Sequence, residues 1–316
     1  LVDLAGELGA SDTTTFLVGE YSSEQIASYP EFAVADGIVE FARKPLSRRD
    51  ERFLRVLKLR GSDYHEGLHG LRITSTGVEV FPRLVGQHDG TGERNADRLS
   101  SGVPELDAMF SGGLWRGSST VVVGAAGTGK TTLALQFVIH GVQCGEPGIF
   151  LNFQESPSQL ARVIRNLGHD LDDLHARGLR LLYFSPVELH IDSIISQLFS
   201  AIKNSGVMRL GLDAVGDLLT AASDPDRLHD YLYALMQHMT AEGVTSMFTL
   251  ETPDSSPESI TSGLRLSYMS DNIIELRLRG DEEAPRRQLR ILKARGTDHD
   301  LAAHEMVIGS NGLSVK

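Results

Sequence analysis

The segment Gly124-Ala125-Ala126-Gly127-Thr128-Gly129-Lys130-Thr131 constrains this chain more than any other stretch of it. It matches G-x-x-x-x-G-K-[ST] throughout and joins two runs of different character. Upstream, Ser119 to Ala125 is apolar and rich in β-branched residues, as a buried parallel strand requires. Downstream, the run TLALQFVIHGV from Thr132 begins a helix. In a turn between such elements, glycines let the backbone fold closely around phosphate oxygens and turn its N–H groups inward. Lys130 supplies a point charge for the β- and γ-phosphates, and the helix N-terminus adds partial positive charge. The Thr131 hydroxyl is placed to ligate Mg²⁺. These residues, with Thr132, are the expected binding site for ATP and Mg²⁺.

A second residue on the magnesium side belongs at the end of a later buried strand. Asp213, closing the run RLGLD, fits: a mostly apolar strand ends in an acid at the carboxyl edge, where open α/β sheets place ligand chemistry. The runs GIFLNF and RLGLDAV read as further strands. RLHDYLYALMQHMTAEG reads as a helix, with Leu228, Tyr231, Leu232, Leu235 and Met239 at helical spacing and a stop at Gly243. This alternation predicts an α/β fold, a mostly parallel central sheet flanked by helices. From Asn272 onward no helix intervenes, and a C-terminal antiparallel β segment is expected.

Part of the chain repeats. The segment from Val56, VLKLRGSDYHEGLHGLRITSTGVEV, parallels ILKARGTDHDLAAHEMVIGSNGLSV from Ile291. Lys58 pairs with Lys293, Arg60 with Arg295 and Gly77 with Gly312 at a constant offset of 235 residues (293 minus 58), and ADGIVEF around Asp36 pairs with SDNIIEL around Asp271. Residues 1–84 therefore read as the C-terminal fragment of a first module. Residues 85–97, rich in Gly and polar side chains, read as a linker, and 98–316 as a complete second module. The first copy contains no phosphate loop. Leu1 in place of methionine predicts residues upstream of it.

Composition narrows the partners. A formal net charge of −12 argues against a surface built to collect nucleic acid. No apolar run is long enough to cross a bilayer. The single cysteine, Cys144, leaves no internal disulfide and fits a cytoplasmic location.

The run from Arg98 through Ser100-Ser101-Gly102, then Leu106-Asp107, Gly112-Gly113-Leu114 and the loop through Thr132, resembles the KaiC family of RecA-like P-loop NTPases. The resemblance implies a homo-oligomer, a hexameric ring with ATP between subunits, and a second module that can autophosphorylate. It also implies regulatory signalling proteins as partners. The family carries an acidic pair after the strand that follows the loop helix; here GIFLNF is followed by Gln154-Glu155. Gln154 can orient a water but cannot accept its proton, so hydrolysis should be slow. Side chains alternate along an ideal strand, so Glu155 would not take the place of Gln154.

Lys293-Ala294-Arg295-Gly296-Thr297 matches the family segment whose cations reach the neighbouring subunit's nucleotide, with both cations expected on one strand face. Lys58 and Arg60 match it in the first copy. Ser267 and Tyr268 fall where the family carries phosphorylated hydroxyls, though Tyr268 departs from its usual threonine. The first copy has Phe32 and Ala33 there.

Two other classes compete. A RecA- or RadA-type DNA repair ATPase would need basic, mobile loops, whereas Gly216-Asp217, Ala222 to Asp226 and Glu251 to Asp254 are neutral to acidic. A nucleotide-gated scaffold with little turnover is suggested by Gln154. The string His65-Glu66-Gly67-Leu68-His69 has the zinc-protease spacing, but Gly67 and Gly70 are poor for the helix that chemistry needs.

Overall fold

The run STVVVG forms the strand around which the larger part of the chain is organised. The computed structural model describes residues 13–45, 50–84, 97–185, 190–221, 225–252, 266–280 and 285–316. It divides into two units, 1–83 and 84–316. The expected linker, 85–97, lies outside the described residues except for Asp97.

Among its described residues the first unit holds two short helices, α1 (Ser23–Ser28) and α2 (Pro30–Val34), then four strands: β1 (Gly37–Pro45), β2 (Asp50–Leu59), β3 (His69–Thr74) and β4 (Gly77–Phe81). The strands form one antiparallel sheet in sequence order. Ser22 caps α1 through a capping box with Gln25.

In the second unit the chain runs through β5 (Arg98–Leu99), α3 (Pro104–Met109), β6 (Leu114–Trp115), β7 (Ser119–Gly124) and α4 (Lys130–Gln143). It continues as β8 (Gly148–Asn152), α5 (Pro157–Asn166), α6 (Leu171–Ala176), β9 (Leu179–Tyr183) and α7 (Ile191–Ser205). Then follow β10 (Arg209–Asp213), α8 (Val215–Ala221), α9 (Pro225–Ala241), β11 (Thr245–Glu251) and α10 (Leu266–Met269). It ends in β12 (Asn272–Arg279), β13 (Arg286–Ala294), β14 (Ala303–Gly309) and β15 (Gly312–Val315).

The nine-stranded sheet has the order β15-β14-β13-β12-β7-β11-β10-β8-β9. Strands β12 through β9 in that order are parallel, and β13 to β15 extend the sheet by antiparallel pairing. The α/β class, the parallel centre and the antiparallel C-terminal segment are as the sequence predicts.

Period-two alternation divides β7 between two cores. Val121 and Val123 face one side with Ile194 and Leu198 of α7 and Leu228, Leu232 and Leu235 of α9. Val122 faces the other with Leu106 of α3 and Leu133 and Phe137 of α4. Covering both faces explains why this strand is apolar at consecutive positions, and each such side chain contributes about 1.5–3 kcal/mol on burial. Helix α9 stops where expected, before Gly243 at φ +69°. Beneath α4, the Arg209 guanidinium bonds Glu146 and the carbonyls of Ser100 and Phe137. Gly141 makes room for it, since a Cβ there would meet Arg209 Cδ at 2.1 Å.

The two β segments share one ladder. In β1·β2 the pairs Ile38↔Lys58 and Val39↔Val56 flank a bulge; in β12·β13 the pairs Ile273↔Lys293 and Ile274↔Ile291 flank another, each displaced by 235 (273 minus 38). Their surroundings differ. Ile274 and Leu276 are fully buried, paired with β7 and packed with the α4 side. Their counterparts Val39 and Phe41 are 50% and 64% exposed.

Candidate functional site

The loop after β7 curls at Gly127 (φ +73°) and Gly129 (φ +108°), both in the region that disfavours side chains. At Gly124, a Cβ would lie 2.3 Å from the Leu276 carbonyl oxygen and 2.9 Å from Thr128 Oγ1, so the loop begins where only glycine fits. Ala125 accepts from Thr128 Oγ1 at 2.8 Å and from Lys130 Nζ at 2.7 Å. Ala126 completes the turn, and Lys130, Thr131 and Thr132 open α4. Lys130 is buried, with Nζ 4.0 Å from Glu251 Oε2. Burial pushes its ammonium below the ordinary lysine range, while Glu251 and Asp213 pull the other way.

Parallel register brings the acids to this loop. Glu251 at the end of β11 is level with Gly124, and Asp213 at the end of β10 is level with Asn152 of β8. Thr131 Oγ1 donates to Asp213 Oδ2 at 2.7 Å, and Thr249 Oγ1 donates to the other carboxylate oxygen. The Asp213–Ala214 peptide is cis.

Strand β8 ends at Asn152, and residues 153–155 form a bend. This corrects the expectation of strand alternation at Gln154 and Glu155: the Asn152 side chain accepts from the Glu155 N–H at 3.1 Å and closes a turn instead. Gln154 is exposed and donates Nε2–H to Asp217 Oδ2 at 3.0 Å. Glu155 is half-buried, and its Oε2 lacks a hydrogen-bond partner among the described residues. Burial, then the Asp213 charge, raises its pKa above the usual glutamate range.

Lys293 lies in β13, but Arg295 follows the strand's last residue and sits in the turn at Gly296 (φ +64°). That corrects the placement of both cations along one strand face. Each reaches back to its own chain, Lys293 Nζ to the Ser270 carbonyl at 2.6 Å and Arg295 to the Tyr268 carbonyl at 2.7 Å. In the first unit Arg60 bonds the Ala33 carbonyl at the equivalent position, and Lys58 bonds the carbonyls of Phe32 and Ala33. Tyr268 is exposed and pairs its hydroxyl with His229 Nε2 at 2.6 Å. Ser267 lies in α10, and its side chain is outside the described residues.

Four groups at the site escape a reading of motifs alone: Thr249, Glu251, Asp217 and Arg287, whose Nε donates to the Gly127 carbonyl at 3.3 Å. Thr249 and Glu251 close the apolar run TSMFTLE, so the strand-edge rule that selects Asp213 could have found them. No local pattern marks Asp217 or Arg287. In the string resembling a zinc site, residues 65–67 lie outside any helix and His69 opens β3. Its ring nitrogens meet the His65 carbonyl and the Arg83 N–H.

A parallel sheet covered by helices, with this loop joining β7 to α4 and an acid from β10 on its threonine, defines a P-loop ATPase domain. The family model described as the KaiC ATPase matches residues 99–316, and the chain belongs to the KaiC family. The circadian clock oscillator protein KaiC of Picosynechococcus sp. is 29% identical over 308 residues, covering 96% of this chain and 58% of that protein. That of Parathermosynechococcus lividus is 27% identical over 323 residues, covering 100% and 59%. That of Nostoc sp. is 29% identical over 321 residues, covering 99% and 60%. The chain thus spans less than two thirds of the length of these relatives. Among the described residues, no helix is long and apolar enough to cross a membrane.

Proposed function

We propose that the chain is a slow, Mg²⁺-dependent ATPase that assembles with copies of itself in a cytosolic signalling system. The observation that carries the ATPase reading is the Thr131–Asp213 hydrogen bond beside buried Lys130. The donor set suits the ligand. The loop turns where a Cβ is excluded, Lys130 faces it as a cation, and Asp213 and Thr131 offer hard oxygens for magnesium. Residues 124–132 would hold the phosphates, and Thr131 and Asp213 the metal, whose charge offsets that of the phosphate oxygens. Gln154 orients the attacking water without taking its proton, which keeps turnover slow.

Residues 1–84 are proposed as the C-terminal part of a first module, 85–97 as a linker and 98–316 as the second module. The shared bulge supports this division. Lys293 and Arg295, with Lys58 and Arg60, are proposed to reach the nucleotide of an adjacent subunit in a hexameric ring. In the second module, the cations bond the Tyr268 carbonyl in α10 and the Ser270 carbonyl just after it, beside the hydroxyl positions Ser267 and Tyr268. The pairing of Tyr268 with His229 supports autophosphorylation there, and mass spectrometry after incubation with ATP would detect it.

Subunit mixing tests the shared site. Lys130→Ala and Arg295→Ala chains, each inactive alone, should recover turnover when combined, because mixed rings contain interfaces with both residues intact. No recovery in demonstrably mixed rings would confine the site to one chain. The scaffold reading is a second proposal, favoured by Gln154, and predicts ATP-driven assembly on light scattering without turnover.

A further inference from the structure

The departure at Gln154 has a partner. Its amide donates to Asp217 at 3.0 Å across 63 residues of sequence, from the bend after β8 to the first turn of α8. Both residues follow strand ends that lie side by side, since Asn152 and Asp213 are register partners and the Phe153 N–H bonds the Asp213 carbonyl.

A glutamine amide has nearly the same shape with its oxygen and nitrogen exchanged, so packing alone does not decide which faces a reacting water. An ionised carboxylate only accepts, and it therefore selects the orientation that turns N–H toward it. We propose that Asp217 is a positioning residue for ATP hydrolysis, acting through Gln154: it holds the amide nitrogen and leaves Gln154 Oε1 as the acceptor offered to the attacking water. This rests on the assignment of Gln154 to the reaction centre. In the reaction the water oxygen bonds to the γ-phosphorus as the bond to the β–γ bridging oxygen breaks and ADP leaves. The water proton passes to a phosphate oxygen, because the amide does not take it.

Asp217 lies in the field of the same site. Burial raises its pKa; the Gln154 and Ala214 hydrogen bonds oppose the shift, and Asp213 and Glu251 add to it. A half-buried carboxylate near two other acids is an unfavourable choice for stability alone. The plain alternative is an acid stabilising the N-terminus of α8 through the helix dipole.

A double-mutant cycle separates the two. Single-turnover hydrolysis, with protein in excess over ATP, is measured for the unaltered chain, Asp217→Asn, Gln154→Glu, the double variant and Gln154→Ala. Asp217→Asn in the Gln154 background should slow hydrolysis by about 2- to 10-fold, the factor expected for one hydrogen bond. In the Gln154→Glu background the same change should accelerate it, because the introduced amide can donate to the introduced carboxylate, which Asp217 would repel. A helix-dipole role gives the same direction in both backgrounds, and that result overturns the proposal. If Gln154→Ala leaves the rate unchanged, Gln154 is not at the reaction centre and both ideas fall. If Gln154→Ala slows hydrolysis but no sign reversal appears, only the role of Asp217 falls. Melting temperatures of the five proteins exclude loss of fold as the cause.

Discussion

The Thr131 hydroxyl meets the Asp213 carboxylate at 2.7 Å, tying the first turn of α4 to the end of β10. The residues are 82 apart in sequence and share a site because β7, β11 and β10 are adjacent parallel strands. Asp213→Asn keeps the shape and an acceptor for Thr131 but removes the charge. The protein should still fold, and its half-saturating Mg²⁺ concentration for hydrolysis should rise at least about tenfold, the scale found when a metal site loses a supporting group. A magnesium titration of the steady-state rate reads this directly. An unchanged midpoint would remove Asp213 from the metal site.

Much of this site is legible in sequence because its parts are local. The loop is one continuous motif, and Asp213 stands at the end of an apolar run, so each follows from neighbours along the chain. The Gln154–Asp217 pair is not local. It depends on the register of β8 with β10 and on β8 ending at Asn152, two residues before Gln154. The expected alternation fails there because an asparagine side chain captures the next turn's N–H. Arg295 departs from its expected place for a similar reason: the strand gives way to a glycine turn one residue early. The repeat, by contrast, is visible down to its offset, since both copies must satisfy the same ladder.

A stability prediction follows from Glu146, which pairs with both Arg116 and the buried Arg209. Burial alone would raise its pKa, but the bonds and charges of Arg116 and Arg209 hold it below the usual glutamate range. A depressed folded pKa means stabilisation present at neutral pH and lost as pH falls through that value. Glu146→Gln leaves Arg209 without its counter-charge and should destabilise the second unit by about 3–5 kcal/mol near neutrality. The gap to the parent should narrow in acid. Urea unfolding followed by Trp115, the only tryptophan and a residue of that unit, would measure it at several pH values. A gap that widens in acid would contradict the assignment.

The two copies of the β ladder should respond differently to the same kind of change. Leu276→Ala removes a fully buried side chain and should cost about 2–5 kcal/mol. Phe41→Ala, at the equivalent position but 64% exposed, should fall within about 0.5 kcal/mol of the parent. Denaturant unfolding of each unit, by Trp115 fluorescence and by far-ultraviolet circular dichroism, compares them. A large loss at Phe41 would mean that its face is covered in solution.

The proposed hydrolysis depends on Lys130, Thr131 and Asp213 forming a working Mg²⁺–ATP site. Phosphate release from ATP, with and without Mg²⁺, for the unaltered chain and for Lys130→Ala, measures whether they do. Slow release that needs Mg²⁺ and vanishes in the variant is the expected result. Release that persists in Lys130→Ala, or proceeds equally well without Mg²⁺, would show that these residues are not the site of hydrolysis.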